Sequence, residues 1–288
     1  MIHIGRDKYT FTFSPNHKPA ATAAPGETVV FETRDGADGQ ILTGEENLDE
    51  LDVSRGNPVT GPLSVLEANP GDTLAVKIID IKLAPQGFLA VIAGRGVLKM
   101  DTKITIPKIV NNKVIFNENI SVPVVPMIGT IGTSPDVGEV AANYPGNYGG
   151  NMDNIDVTID SIVYLPVRVK GALLSLGDVH ANQGDGELMA SSLEIESVVT
   201  VSVDVIKNKK YERPWIETPS SWVTCADALT LPEAIRIATE DMVNLLGEKM
   251  ELCPQDAYMY ISLTGGVKIC QACEWLINPT VRVVAPKP

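Results

Sequence analysis

Between residues 1 and 205 the chain is cut into short β-branched runs, each closed off by Pro, Gly, Asn or Asp, and this punctuation leaves little room for helices. Runs at 28–33, 73–81, 103–106, 113–116, 155–163 and 198–205 read as strands. One device occurs twice: Ala24-Pro25-Gly26-Glu27-Thr28-Val29 is echoed by Asn69-Pro70-Gly71-Asp72-Thr73-Leu74. In each, Pro-Gly sets a tight turn and the next residues enter a strand. Many short strands with such turns pack as a sandwich or a barrel.

The last quarter has a different period. Thr230 is a candidate N-cap, and 232–246 carries Ala234, Ile235, Ala238, Met242, Leu245 and Leu246 on one face, with Gly247 as the expected stop. Pro254 opens a second helix over 255–263 that ends at Gly265-Gly266, and 280–284 reads as a last strand. The apolar helix face reads as core rather than as a cofactor surface. The expected fold class is therefore mainly β, sandwich- or barrel-like in a Greek-key or jelly-roll manner, with a small C-terminal α+β part. The expected division is a β-rich catalytic core over 1–205 and a small α+β domain over 206–288.

A formal net charge of −13 opposes binding to a phosphate backbone, and no Lys/Arg-rich patch offsets it. No apolar run is long enough to span a membrane, and no charged-then-apolar leader opens the chain, so a soluble cytoplasmic protein is expected. The four cysteines, Cys225, Cys253, Cys270 and Cys273, include one C-x-x-C. A zinc site would need a second pair at similar spacing, and a redox site a thioredoxin-like helix start. Ordinary reduced, half-buried thiols are the expectation.

Chemistry concentrates at 171–187, where an apolar run ends in a Gly-rich loop carrying Asp178, His180, Gln183, Asp185 and Glu187. Only three histidines occur, His3, His17 and His180. Residues two apart on a strand share a face, which pairs Asp178 with His180 and Asp185 with Glu187. Two such pairs could enclose a cation. An imidazole among carboxylates suits zinc or another transition metal better than calcium. The bland alternative is a solvated polar turn. Asp153, at the end of a preceding Gly-rich stretch, either completes the shell from a second segment or caps local amides in an Asx-turn. Glu32, Asp35 and Asp38 read as a solvated strand end, and His17 as a surface histidine.

Covalent routes lack their signatures. No Gly-x-Ser-x-Gly elbow and no Gly-Ser-Ser segment of a Ser–Lys amidase is present, and Gly129-x-x-Gly132 lacks the Gly-Lys-Ser/Thr ending of a phosphate loop. Activation of water is favoured.

Taken in order, several segments resemble the acetamidase/formamidase family: 25–33 with Asp38-Gly39-Gln40, then 57–62 (Asn57-Pro58 onward), 70–74, 129–132, 149–153, Leu165-Pro166 and 177–187. The last, Gly177-Asp178-Val179-His180-Ala181-Asn182-Gln183-Gly184-Asp185-Gly186-Glu187, is close to the family's Gly-Asp-x-His-x-x-Gln-Gly-Asp-Gly-Glu signature. The matches run from about 17 to 200, and the chain is short for the family.

The resemblance implies a β-rich sandwich core, hydrolysis of short linear amides to ammonia and a carboxylate, a divalent metal, zinc, and a homo-oligomer, dimer or higher. It implies Asp153, Asp178 and His180 as metal or adjacent groups and Glu187 as the base acting on water. Asp185 and Gln183 join Glu187 as catalytic groups, and Gln183 also orients the amide together with Asn57 and Asn151, which bind substrate. Crowding Asp185 and Glu187 near Asp178 would raise one carboxyl pKa enough to supply the proton that the leaving nitrogen needs. Two other functions fit the same loops: a metal- or carbohydrate-binding β-sandwich without activity, and a hydrolase of cyclic amides.

Overall fold

A computed structural model of the protein describes residues 1–273 and 277–288, the side chain of Asp49 aside. Two large sheets face one another. The first has nine strands in the order Ile2–Ile4, Thr28–Thr33, Ser197–Ile206, Thr73–Leu83, Ile162–Pro166, Trp215–Glu217, Ser221–Asp227, Thr280–Pro286, Gly266–Gln271. The second runs Pro145–Gly146, Gly149–Asn151, Met127–Gly132, Leu174–His180, Val59–Val65, Tyr9–Thr10, with Ala21–Ala23 also beside Val59–Val65. The alternating burial of Thr28–Thr33 shows why a sandwich forms: Val29, Phe31 and Thr33 point inward while their neighbours are half exposed. The shared core takes Phe31, Val76 and Val201 from one sheet and Leu63, Ile131 and Leu176 from the other. The mainly β expectation agrees with this architecture.

The first sheet continues past residue 205 without a break, so the C-terminal strands extend the sheet of the N-terminal part. Helix α1 (Leu231–Met250) and helix α2 (Pro254–Thr264) cover that extension, burying Ala234, Ala238, Met242, Leu245 and Leu246 against Trp215, Trp222, Val281 and Val283. Thr230 caps α1 by accepting from the Glu233 amide. Gly247 does not stop the helix; Glu251 does, in the left-handed conformation at φ 57°. One interior glycine costs about 1 kcal/mol against alanine, and the packed face on either side of it outweighs that. The expected strand at 155–163 also shifts: residues 154–161 turn, and the strand is Ile162–Pro166. Among the described residues no helix is long and apolar enough to cross a membrane.

Cys225, Cys270 and Cys273 are buried, and Cys253 is exposed. Three are thus more deeply packed than the expected half-buried state. The Asp35–Asp38 turn is likewise not a solvated strand end. Asp35 accepts from the Ala37 and Gly39 amides at 2.9 and 3.0 Å, and buried Asp38 accepts from Arg34 and Arg55, each at 2.7 Å. The turn folds inward beside a cavity that Gly36 and Ala37 line.

Candidate active site

The second sheet delivers most of the site. Leu174–His180 lies between Met127–Gly132 and Val59–Val65, and its last residues carry Asp178 and His180. Beyond His180 the chain loops out and returns, so that 193–195 pairs back against 179–181 through the Ala181 N–H to Leu193 carbonyl (2.9 Å) and Ile195 N–H to Val179 carbonyl (3.2 Å) bonds. This return places Glu194 opposite His180. Asp153 arrives from the segment after Gly149–Asn151, held by its amide donating to the Gly129 carbonyl at 3.1 Å.

Asn57, Asp153, Asp178 and Glu187 all adopt positive φ, between 45° and 54°. For residues with a Cβ this conformation is uncommon and clusters where the surrounding structure enforces it. Here it swings a carboxylate or amide out of its strand or loop path toward a common centre. Two glycines make room. A Cβ on Gly129 would come within 2.8 Å of both Asp153 Oδ1 and Asp178 Oδ2, and one on Gly36 within 2.8 Å of Asp178 Oδ1.

The centre is the His180 ring. Gln183 Nε2 donates to the Asp153 carbonyl at 2.8 Å, which leaves its Oε1 as the acceptor facing His180 Nδ1, also at 2.8 Å. That pairing puts a proton on Nδ1 and turns Nε2 inward. Nε2 lies 3.2 Å from Glu194 Oε2 and 3.5 Å from Asp178 Oδ1. Donor atoms of Asp153, His180 and Glu187 gather within 4.8 Å of one another, as do those of Asp178, His180 and Glu194. Asp153, Asp178, His180 and Glu194 are buried; Glu187 is half-buried with its carboxyl end enclosed.

Some carboxylate oxygens are satisfied. Asp178 Oδ2 accepts from Asn57 Nδ2 at 2.7 Å and Thr130 Oγ1 at 3.1 Å. Glu187 Oε1 accepts from Ser192 Oγ at 3.2 Å, and Glu194 Oε1 from the Ser192 amide at 3.1 Å. Others are not: both oxygens of Asp153, Glu194 Oε2 and His180 Nε2 are buried without a hydrogen-bond partner. Four acids around one imidazole therefore leave a set of lone pairs that a proton or a cation must answer.

The titration behaviour follows from that crowding. Burial, with the neighbouring carboxylates, pushes Asp153 well up, raises Glu187 to about 8 and raises Glu194 to about 7. For His180 burial disfavours the imidazolium, yet the Glu194 and Asp178 charges together outweigh it and hold the ring well above its usual range. Burial also opposes the Asp178 anion, but His180 and the hydrogen bonds to its oxygens leave that carboxyl lowered.

The predicted residues are distributed unevenly around this centre. Asp153, Asp178, His180 and Glu187 converge, Gln183 braces the ring, and Asn57 and Asn151 line the cavity above. Asp185 stands apart, 41% exposed at its side chain, accepting from Arg282 at 2.7 Å while Arg282 also meets Asp156 at 2.8 Å. The same-face pairing therefore holds for Asp178 and His180 but not for Asp185 and Glu187. Glu194 was missed: within Leu193-Glu194-Ile195-Glu196 it looks like the wet face of a strand, and no local signal distinguishes it. Thr130 and Ser192 were missed for the same reason.

The family model for the acetamidase/formamidase family matches residues 6–143 and 137–265. The chain belongs to that family. Within it, the solved structure of an acetamidase from Bacillus halodurans is 35% identical, with a TM-score of 0.95, covering 99% of this chain and 97% of that one. An acetamidase from Yersinia enterocolitica is 31% identical with a TM-score of 0.94, covering 99% and 91%. The acetamidase of Mycolicibacterium smegmatis is 28% identical over 262 residues, covering 67% of this chain and 64% of that protein. The chain spans 60 to 64% of the length of the curated family members it matches, less than two thirds.

Proposed function

We propose that this protein hydrolyses the carbon–nitrogen bond of small linear amides, giving ammonia and a carboxylate, with a divalent metal, zinc, at the His180 centre. Family membership supports the reaction. One observation carries the metal: both Asp153 oxygens are buried without a hydrogen-bond partner, beside His180 Nε2 and Glu194 Oε2, which meet only each other, at 3.2 Å, and the more distant Asp178. An isolated set of such atoms is costly unless a cation sits among them. Nitrogen with carboxylate oxygens is a donor set that zinc accepts. Asp153, Asp178 and His180 would hold the metal, with Glu194 against the same ring nitrogen. When bound, such an ion acts as a Lewis acid on the amide carbonyl oxygen.

The chain's own groups supply the remaining chemistry. Asn151 lies 3.0 Å from the Thr130 hydroxyl, whose one proton serves Asp178, and it faces the cavity, where its side-chain amide can hydrogen-bond a substrate amide. Asn57 spends one donor on Asp178 and faces the same cavity. Glu187, whose carboxyl end is enclosed beside His180 and lines the cavity, is placed for proton transfer. In this reading it takes a proton from the attacking water and passes it to the departing nitrogen, so water and amide become carboxylic acid and ammonia. Gln183 acts through His180 by fixing its tautomer, and Asp185 acts through Arg282 by tethering the 181–187 loop to the C-terminal strands. A screen of small amides for ammonia release, with and without a chelator, tests the proposal. Chelator-sensitive turnover is expected; tight metal binding with no amide turned over would instead favour a binding protein.

A further inference from the structure

The cavity above the acids has a volume of about 220 Å³. For comparison, an apolar cavity of about 150 Å³ lined by Leu, Ile and Phe accommodates benzene. Acetamide and formamide are both smaller than benzene, so either would leave much of this space unused.

The unused part has a definite character. Besides the acids, the cavity is lined by Ile41, Leu48, Leu51, Phe88 and Ile92. These belong to a hydrophobic cluster that also takes in Ala90, Ile104 and Ile106 and is separate from the main sandwich core. A closed satellite core would hide these side chains, yet Leu48, Leu51 and Ile92 remain half-buried. Apolar surface facing a water-filled cavity is unfavourable, and an apolar ligand that covers it is drawn in.

The wall is also tied rigidly to the acids. Phe88 and Glu194 exchange backbone hydrogen bonds, Phe88 N–H to the Glu194 carbonyl at 2.9 Å and Glu194 N–H to the Phe88 carbonyl at 3.0 Å. Arg55 pins the segment carrying Leu48 and Leu51 to buried Asp38, at 2.7 Å. Among the described residues, the charged side chains that line the cavity outside the acid cluster are Asp52 and Arg95, which are opposite in sign and do not single out a charged substrate.

Resting on the amide-hydrolase reading above, we infer that the preferred substrates are primary amides with an uncharged apolar acyl group, up to about the size of a pentyl chain or a phenyl ring. The carboxamide sits at His180 and the acyl group lies against Phe88, Leu48 and Leu51.

The test is a series from formamide and acetamide through butyramide and hexanamide to benzamide, with the zinc-loaded protein. Each buried methylene is expected to raise kcat/KM about fourfold, so hexanamide, with four more methylenes, should exceed acetamide by about 250-fold. In Leu51→Asn the hexanamide-to-acetamide ratio, taken within the one variant, should fall at least about tenfold. Values that are flat or falling beyond acetamide, in a protein that does turn over acetamide, would overturn the substrate class and leave the hydrolase reading standing. Should no amide be turned over, that reading fails. Calorimetric binding of the same series still decides on the wall: tighter binding of hexanamide than acetamide supports it, and equal binding overturns it.

Discussion

Gly129 lies across the strand pair from Asp178, and the side chain it lacks is what allows the acids to meet. Thr130 pairs with Gly177 and Ile128 with Val179, which leaves Gly129 facing Asp178. A Cβ there would press within 2.8 Å of a carboxylate oxygen of Asp178 and one of Asp153. Gly129→Ala should therefore push the two acids apart, at about 1–3 kcal/mol in stability and at least about a hundredfold in activity. Thermal unfolding and ammonia release measure the two effects. An alanine variant with full activity would mean that the positions of Asp153 and Asp178 do not matter to the reaction.

Gln183→Ala should weaken metal binding by about 10- to 100-fold, the usual cost of losing the group that orients a ligating histidine. The fold should survive, because Gln183 sits on a half-buried loop. Competition with a chromogenic chelator reads the affinity directly. An unchanged affinity would remove Gln183 from its bracing role.

Asp185→Ala should leave stability within about 1 kcal/mol, since the Asp185 end of the Arg282 pair is partly exposed and Asp156 remains as a partner. Activity should fall about tenfold, because the loop that carries Gln183 and Glu187 loses its tether. A much larger loss of kcat with unchanged KM would point to direct participation in the reaction.

Stability should depend on pH in a direction fixed by Glu187 and Glu194. Their folded pKa values, about 8 and about 7, lie above the ordinary carboxyl value of 4.5. Between about 4.5 and 8 the metal-free fold therefore binds more protons than the unfolded chain, and stability falls as pH rises. His180, also raised, adds a contribution of the same sign. Melting temperatures of chelated protein should drop by several degrees from pH 5 to pH 8. With saturating zinc the drop should vanish, since the ion replaces the protons. A chelated protein that gains stability over this range would contradict the buried acid cluster.

Most of the strand pattern was legible because it rests on a period of two, and the same period paired Asp178 with His180, although Asp178 is turned toward the ring by a positive φ that no pattern shows. The C-terminal helices were legible through their caps and apolar faces, although Gly247 misplaced the end of α1: packing on both sides of it carries the helix on to Met250. Glu194 was invisible because its partner His180 is fourteen residues away across a returning loop, and the alternation around it mimics a wet strand face. The depth of Asp35 and Asp38 was hidden for a related reason, since only the fold supplies the arginines and amides that hold them. Asp185 looked equivalent to Glu187 until Arg282, nearly a hundred residues later, drew it away.

The most direct test of the metal-dependent hydrolase is to measure bound zinc and ammonia release together, in the native protein and in His180→Ala. About one zinc per chain and chelator-sensitive ammonia release are expected from the native protein, with both lost from a variant that remains folded. Amide turnover persisting in His180→Ala, or in native protein stripped of all metal, would contradict the proposal.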